Sequence, residues 1–295
     1  LVLPLAAIGL GYGMLIVVAG SGFAGDTAVQ GVFISAGLLT LFVVGRQALA
    51  LWDNQRLNSE LNQHIVQLDQ AYSMLNIERD RAERLLLNVL PEEVANRLKH
   101  GQATIADSFP EVTVLFADIV DFTSLSARIS PEQLVNMLNQ VFSAFDQLAE
   151  KYGLEKIKTI GDAYMVVSGL NGPDPDRPEA AVAMALDMHA ALQRLSETTG
   201  IDLKVRIGID TGPVVAGVIG TKKFIYDLWG DTVNTASRME SQGLAGRIQV
   251  TQRCYERLLD KYQFEKRGTI QVKGKGEMTA YLLDGLLPLD NPAPA

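Results

Sequence analysis

Two stretches of this sequence decide its fold: Val-Thr-Val-Leu-Phe-Ala-Asp-Ile-Val-Asp-Phe-Thr at residues 112–123 and Glu-Lys-Ile-Lys-Thr-Ile-Gly-Asp-Ala-Tyr-Met-Val-Val at residues 155–167. Each is an apolar, β-branched run typical of a buried strand. Each also carries an aspartate, Asp118 or Asp162, where such a strand would otherwise place a core side chain. A carboxylate there is costly unless it is paired or binds a metal. Caps or salt bridges would satisfy each aspartate singly, but two at strand ends favour a shared divalent cation.

The overall composition excludes several classes of function. The chain has 295 residues and a net charge of −8, so it has no basic surface for nucleic acid. Its one cysteine, Cys254, excludes an internal disulfide, and its three histidines lack zinc-ligand spacing. Because the sequence begins at Leu1 rather than a methionine, we expect it to be part of a longer protein.

Residues 1–45 contain a single charged side chain, Asp26. Two apolar runs, Leu1–Gly20 and Ala28–Val44, are each close to the length that crosses a bilayer, and they predict a transmembrane helical hairpin. The alternatives are a buried hairpin in a soluble core and a signal peptide, although no basic region precedes the first run. Arg46 and Arg56 follow the second run, which places the rest of the chain in the cytoplasm.

Residues 46–90 are polar, free of glycine, and carry apolar side chains every seven residues. This spacing predicts a signalling helix that forms a parallel coiled coil, with a lone amphipathic helix as the alternative. Pro91 ends the segment, and residues 91–110 are interpreted as a transducer and linker. The repeat consists of Leu61, Leu68, Leu75, Ala82 and Val89.

Residues 111–285 are predicted to form the globular part, followed by a tail at 286–295. The opening order of elements, β-α-β-β-α-β, is typical of a ferredoxin-like α+β sheet. We interpret Gly212–Gly220 as a glycine-rich turn and Asp231 as the N-cap of the helix that follows it.

Polar residues around the two aspartates suggest a nucleotide. Backbone N–H groups in the turn Ile119–Thr123 could hold a phosphate, to which Thr123 would add a hydroxyl. Joined to two carboxylates, such a turn suggests Mg²⁺ carrying a polyphosphate.

Lys158 and Asp227 are charges embedded among large apolar residues. A lysine donor and an aspartate acceptor in one slot are complementary to adenine, whereas guanine reverses both roles. Lys158 alternates with Lys156 along its strand, and either lysine alone would be interpreted as a surface residue.

Four further residues carry functional groups but are weak signals individually. Asn234 and Arg238 are four apart on one helical face, where they could orient a ribose and offset charge on a phosphorus. Lys273 and Lys222 lie in glycine-flanked turns and could bind a triphosphate or simply be solvated.

Together these motifs resemble the class III nucleotidyl cyclases, in particular the membrane-bound adenylyl cyclases of mycobacterial type, which are similar to the mammalian enzymes. The resemblance covers about residues 85–283. The motifs that carry it are Phe-Ala-Asp-Ile-Val-Asp-Phe-Thr, Lys-Thr-Ile-Gly-Asp, Asp-Leu-Trp-Gly-Asp-Thr-Val-Asn-Thr-Ala-Ser-Arg and Val-Lys-Gly-Lys-Gly.

The resemblance implies a role for each of these residues and two Mg²⁺ or Mn²⁺ ions per active site. Asp118, Asp162 and the backbone of Ile119 would bind the metals. Arg238 and Asn234 would be catalytic. The substrate, ATP, would be bound by Lys158, Asp227, Lys273, Thr123, Phe122 and Lys222.

The spacing of Lys158 and Asp162 predicts composite sites. These residues are four apart, yet they would serve opposite ends of one nucleotide, so we expect them to face different nucleotides. The resemblance likewise implies a homodimer in the plasma (inner) membrane, multi-pass, with its catalytic domain in the cytoplasm. Its activity would convert ATP to cyclic AMP and pyrophosphate by two-metal in-line attack of the ribose 3′-oxygen.

Two alternatives remain open at the level of sequence. A guanylyl cyclase is the nearest, although the Lys158 and Asp227 pair argues against it. An inactive nucleotide-binding or scaffold module would be expected to have lost a metal aspartate or the arginine, and the sequence retains all of them. A diguanylate cyclase would need a Gly-Gly-Asp/Glu-Glu-Phe signature, which is absent.

Overall fold

The computed structural model describes residues 8–13, 16–17, 20, 26–102, 104–170, 178–220 and 224–287. The chain divides into two compact units, Leu1–Leu86 and Leu87–Ala295. Lys222, one of the predicted phosphate ligands, lies outside the described residues. The finer division into hairpin, coiled coil and transducer stays a prediction.

The first unit is dominated by one continuous helix, α1 (Asp26–Leu87), of 62 residues. Within the described residues, α1 is the one helix long and apolar enough to cross a membrane, with a most apolar window of mean hydropathy 1.7. The first predicted span lies partly outside the described residues, so a two-helix crossing is not supported. The heptad side chains Leu61, Leu68 and Leu75 are exposed in the single chain, and their pairing stays a prediction.

The second unit is an α+β domain built on an eight-stranded mixed sheet. Its elements are α2 (Glu92–Lys99), β1 (Ile105–Ile119), α3 (Phe122–Ser126), α4 (Pro131–Tyr152), β2 (Glu155–Ile160), β3 (Ala163–Ser168), α5 (Pro178–Thr199), β4 (Val205–Ile219), β5 (Ile225–Trp229), α6 (Asp231–Ser241), β6 (Ile248–Thr251), α7 (Gln252–Leu258), β7 (Tyr262–Val272) and β8 (Gly276–Leu286).

The sheet confirms the predicted ferredoxin-like arrangement. Its order is β2-β3-β1-β4-β6-β8-β7, with β5 paired to β4, and the first four strands are antiparallel neighbours. The main core lies between the sheet and α4 and α5, around fully buried side chains such as Phe145, Tyr164 and Met188. A second, smaller core on Phe116, Met165 and Val214 includes Ala236 of α6.

Local sequence explains where α4, one of the two 22-residue helices of this domain, begins and ends. Ser130 and Gln133 form a reciprocal capping box at the start of α4, and Pro131 occupies its first turn. Gly153 adopts φ 69 at the C-cap, a conformation that favours glycine.

The interpretation of Gly212–Gly220 as a turn is wrong, because β4 continues to Ile219. The glycines there serve close packing. A Cβ on Gly217 would lie 2.2 Å from the carbonyl oxygen of Ile105, and one on Gly212 would lie 2.7 Å from Thr232 Oγ1. Glycines that permit close packing within β4 thus gave this strand a composition that is also typical of a turn.

Candidate active site

The two predicted metal aspartates come together where β1 ends beside the β2–β3 turn. Asp118 pairs in register with Ala163, the residue after Asp162. The carboxyl groups of Asp118 and Asp162 lie close enough to interact electrostatically. Burial and the negative charge of Asp118 raise the pKa of Asp162 above its ordinary value. The structure therefore has a carboxylate pair at this sheet edge.

Asp118 also has a cationic partner, Arg206, which the sequence analysis missed. Arg206 stands opposite Asp118 in the β1–β4 register, and its Nη2 donates to Asp118 Oδ2 over 2.8 Å. Its Nε lies 3.4 Å from Oε1 of Glu240, near the end of α6. Burial and the charge of Asp118 raise the pKa of Glu240 to about 7. The site is thus a four-member network in which one arginine faces three carboxylates.

The donor set fits a hard divalent cation carried by phosphate. Two carboxylates in contact repel each other when both are ionised, and a cation between them relieves that repulsion. Among the described residues, no group of three or more His, Cys, Asp or Glu side chains forms a closed metal cage. Mg²⁺ characteristically uses one or two carboxylates and completes its shell with water and phosphate oxygens.

Lys158 and Asp227 meet as an ion pair between β2 and β5. A β-bulge between Lys156 and Lys158 separates the two lysines. Lys156 instead pairs with Asp146 of α4, at 2.7 Å between Nζ and Oδ1. The lysine and aspartate predicted to read a base are therefore neighbours in one chain.

Helix α6 presents Asn234 and Arg238 to solvent. Its N-cap is Gly230 rather than the predicted Asp231, because Asp231 is the first helical residue and makes no capping hydrogen bond. Asp231 is instead ion-paired with Lys275 of the β7–β8 turn. Lys273 of the same turn is exposed and has no ion pair within the described part of the chain.

The predicted phosphate turn is a tight connection between β1 and α3. Asp121 has φ 56, the one positive value among the described non-glycine residues. Ile119 is buried at the end of its strand, and Phe122 packs partly against the main core. Thr123 is exposed. Phe122 is therefore well placed to hold the turn, whereas Thr123 can meet a ligand.

Comparison with known proteins agrees with this geometry. Residues 104–285 match the family model described as adenylate and guanylate cyclase catalytic domain. The chain belongs to this cyclase family. Adenylate cyclases from Mycobacterium tuberculosis and Mycobacterium bovis are 49% identical to it over 216 residues, which is 73% of this chain and 49% of each relative. The chain therefore spans about half the length of these curated relatives.

Cyclases of both nucleotide types are similar to this cyclase domain. Guanylate cyclase soluble subunit beta-2 of Rattus norvegicus is 42% identical over 245 residues, covering 82% of this chain and 36% of the relative. The guanylate cyclase domain of RhGC from Catenaria anguillulae, solved with GTP, aligns with a TM-score of 0.59 at 38% identity. It covers 61% of this chain and 100% of that one. The adenylyl cyclase CyaB from P. aeruginosa aligns with a TM-score of 0.56 at 32% identity, over 61% of this chain and 95% of that one. Family membership alone leaves the choice between ATP and GTP to the base-reading residues.

Proposed function

We propose that this chain is a membrane-bound adenylyl cyclase that converts ATP to cyclic AMP and pyrophosphate. The observation that carries the proposal is the Lys158–Asp227 ion pair in a cyclase domain that retains both metal aspartates. The mycobacterial adenylate cyclases at 49% identity support the same substrate.

Base selection follows from the ion pair. Lys158 donates a hydrogen bond to a ring nitrogen of adenine, and Asp227 accepts one from the exocyclic amine. Guanine would present an acceptor where Asp227 accepts and a donor where Lys158 donates. Partly buried polar groups that are left unpaired in this way reject the wrong base.

Asp118, Asp162 and the backbone carbonyl of Ile119 would hold two Mg²⁺ or Mn²⁺ ions. When bound, these ions make the ribose 3′-oxygen nucleophilic and neutralise charge on the phosphates. Cyclase domains of this class depend on metal ions in general, and the number of ions is part of the proposal.

The remaining side chains hold the nucleotide and its developing charge. Asn234 orients the ribose, and Arg238 stabilises negative charge at the α-phosphorus during in-line attack. The proposed phosphate-binding side chains are Lys273, Lys222 and Thr123, to which we add Arg206. Phe122, also proposed to bind the substrate, would hold the turn that carries Thr123.

We propose that two copies of the chain build each site. Metals would come from one protomer, and Lys158, Asp227, Asn234 and Arg238 from its partner. Exposed apolar side chains on β4 and β5 support this, because they form a surface suited to a second copy: Val215, Ile219, Ile225 and Trp229 are each 38% or more exposed. A similar guanylyl cyclase domain from Blastocladiella emersonii, at 35% identity and a TM-score of 0.57, forms a non-canonical dimer, so it supports self-association without supporting this arrangement of the two copies.

The long helix supports attachment to a lipid bilayer. The apolar part of α1 would cross the membrane, its polar continuation would pair as a coiled coil, and the catalytic domain that follows in sequence would be cytoplasmic. A second crossing by residues 1–20 remains part of the prediction from sequence. We infer no nucleic-acid partner, given the net charge of −8.

Guanylyl cyclase activity is the second candidate, because several similar proteins are guanylate cyclases. The deciding experiment measures turnover of ATP and of GTP by the full chain with Mn²⁺ or Mg²⁺, with Asp118→Ala as the control. We expect cyclic AMP from the parent chain and none from the variant. A preference for GTP would contradict the base assignment, and turnover of neither nucleotide would indicate an inactive module.

A further inference from the structure

Arg206 is held between two carboxylates that belong to different parts of the fold. On one side is Asp118 of β1, and on the other is Glu240 of α6. The Glu240 side chain is only 10% exposed, against 31% for Arg206. A carboxylate buried to this degree is costly unless a cation or hydrogen bonds compensate it. The burial of the Glu240 carboxylate therefore indicates a specific role, which the position of an exposed surface glutamate would not.

The backbone fixes Glu240 at this place. A Cβ on Gly208 would lie 2.0 Å from the amide nitrogen of Glu240 and 2.5 Å from the carbonyl oxygen of Ala236. Helix α6 thus rests directly on β4 at a position two residues from Arg206. The carbonyl of the preceding residue, Met239, accepts a hydrogen bond from Gln249 Nε2 at 3.0 Å. Glu240 consequently reaches Arg206 from a rigid position.

The contact has a consequence when Asp118 binds metal. Asp118 cannot bind a metal ion and keep its full ion pair with Arg206, because the carboxylate oxygen that Arg206 contacts would then be attracted to the divalent cation. If Glu240 were absent, an Arg206 released by Asp118 would have no ion-pair partner beside that cation. With Glu240 present, Arg206 keeps one carboxylate and remains directed at the site.

We propose that Glu240 is a positioning residue that retains Arg206 when Asp118 turns to the metal-bound nucleotide. Glu240 acts through Arg206 and does not itself touch metal or substrate. In the free protein Glu240 also weakens the ion pair between Arg206 and Asp118, because both carboxylates share one guanidinium group. The inference rests on the proposed function for the identity of the metal-bound nucleotide.

A double-mutant cycle tests the inference with a readout that is independent of turnover. Mn²⁺ binding to the full chain is followed by paramagnetic resonance in the presence of α,β-methylene-ATP, which cannot be cyclised. Glu240→Gln should raise the Mn²⁺ dissociation constant about tenfold, the size expected for one charge-assisted hydrogen bond. Glu197→Gln, the same change at an exposed glutamate of α5, should leave the constant unchanged.

The decisive arm repeats Glu240→Gln in an Arg206→Gln background. If Glu240 acts through Arg206, it should have less than about a twofold effect there, since interacting residues are not additive. An undiminished tenfold effect would overturn the inference, because Glu240 would then act directly through its charge on the metals.

Glu240→Asp keeps the charge on a shorter side chain and replaces Glu240→Gln in the same cycle should the latter fail to fold. A parent chain that turns over neither ATP nor GTP would refute the proposed function, whereas an active parent with an additive cycle refutes only the role of Glu240.

Discussion

The ammonium group of Lys158 on β2 and the carboxylate of Asp227 on β5, two residues 69 apart in sequence, form an ion pair. Their side chains are 34% and 15% exposed, so the pair is neither a surface salt bridge nor a sealed one. The sequence neighbours Ile157 and Tyr226 pack against an apolar cluster that includes Met165. A polar pair at the edge of an apolar surface is the arrangement that a planar base with defined hydrogen-bonding groups requires.

Reversing the polarity of this pair should reverse base preference. In Lys158→Glu combined with Asp227→Ser, an acceptor replaces the donor and a hydroxyl donor replaces the acceptor. We expect kcat/KM for ATP to fall by about 100-fold or more relative to that for GTP, because the exchanged groups can then hydrogen-bond guanine but not adenine. Measuring both nucleotides with the same preparation gives the ratio directly.

Lys156→Gln is the matched control for that exchange. It removes a lysine from the same strand, but one that contacts Asp146 of α4 instead. Its ratio of ATP to GTP turnover should equal that of the parent chain. An unaltered ratio in the Lys158 and Asp227 double variant would show that the pair does not read the base.

The two lysines of the β7–β8 turn should behave differently. Lys273 has no ion pair in the described part of the chain, whereas Lys275 is already paired with Asp231. Lys273→Ala should raise KM for ATP about tenfold through loss of one charged phosphate contact. Lys275→Ala should raise KM less than Lys273→Ala. Steady-state kinetics at saturating metal compare the two variants. A larger increase in KM for Lys275→Ala would indicate that Lys275, rather than Lys273, binds phosphate.

Gly208→Ala should destabilise the catalytic domain. The added Cβ would lie 2.0 Å from the amide nitrogen of Glu240, a contact that only backbone movement can relieve. Overpacking of this kind typically costs roughly 1–3 kcal/mol. Denaturant unfolding measures the change. Gly45→Ala in α1 is the control, because a Cβ there meets nothing within 4 Å. An equally stable Gly208→Ala variant would mean that α6 does not rest on β4 as described.

The sequence was sufficient for features that depend on local pattern. Apolar runs located the strands around Asp118 and Asp162. The order of elements predicted the ferredoxin-like sheet, which the observed strand order confirms. The proximity of the two aspartates was also predictable, because each marks the end of a strand in the same half of the sheet.

Features that depend on distant pairing were not predictable. Arg206 lies 88 residues from Asp118, and no local pattern indicates that the two strands place them side by side. The β-bulge that sends Lys156 and Lys158 to different partners leaves no distinctive mark in the sequence. The glycines of β4 resembled a turn because glycine serves both turns and close backbone contacts.

The most direct test of the central claim is complementation between two inactive chains. Asp118→Ala removes a proposed metal ligand, and Arg238→Ala removes the arginine proposed to stabilise charge across the dimer. Each variant alone should make no cyclic AMP, and verified heterodimers should recover up to half of the parent activity, since one of their two composite sites is intact. Heterodimers that remain inactive would contradict the claim that metals from one protomer act on a nucleotide held by its partner.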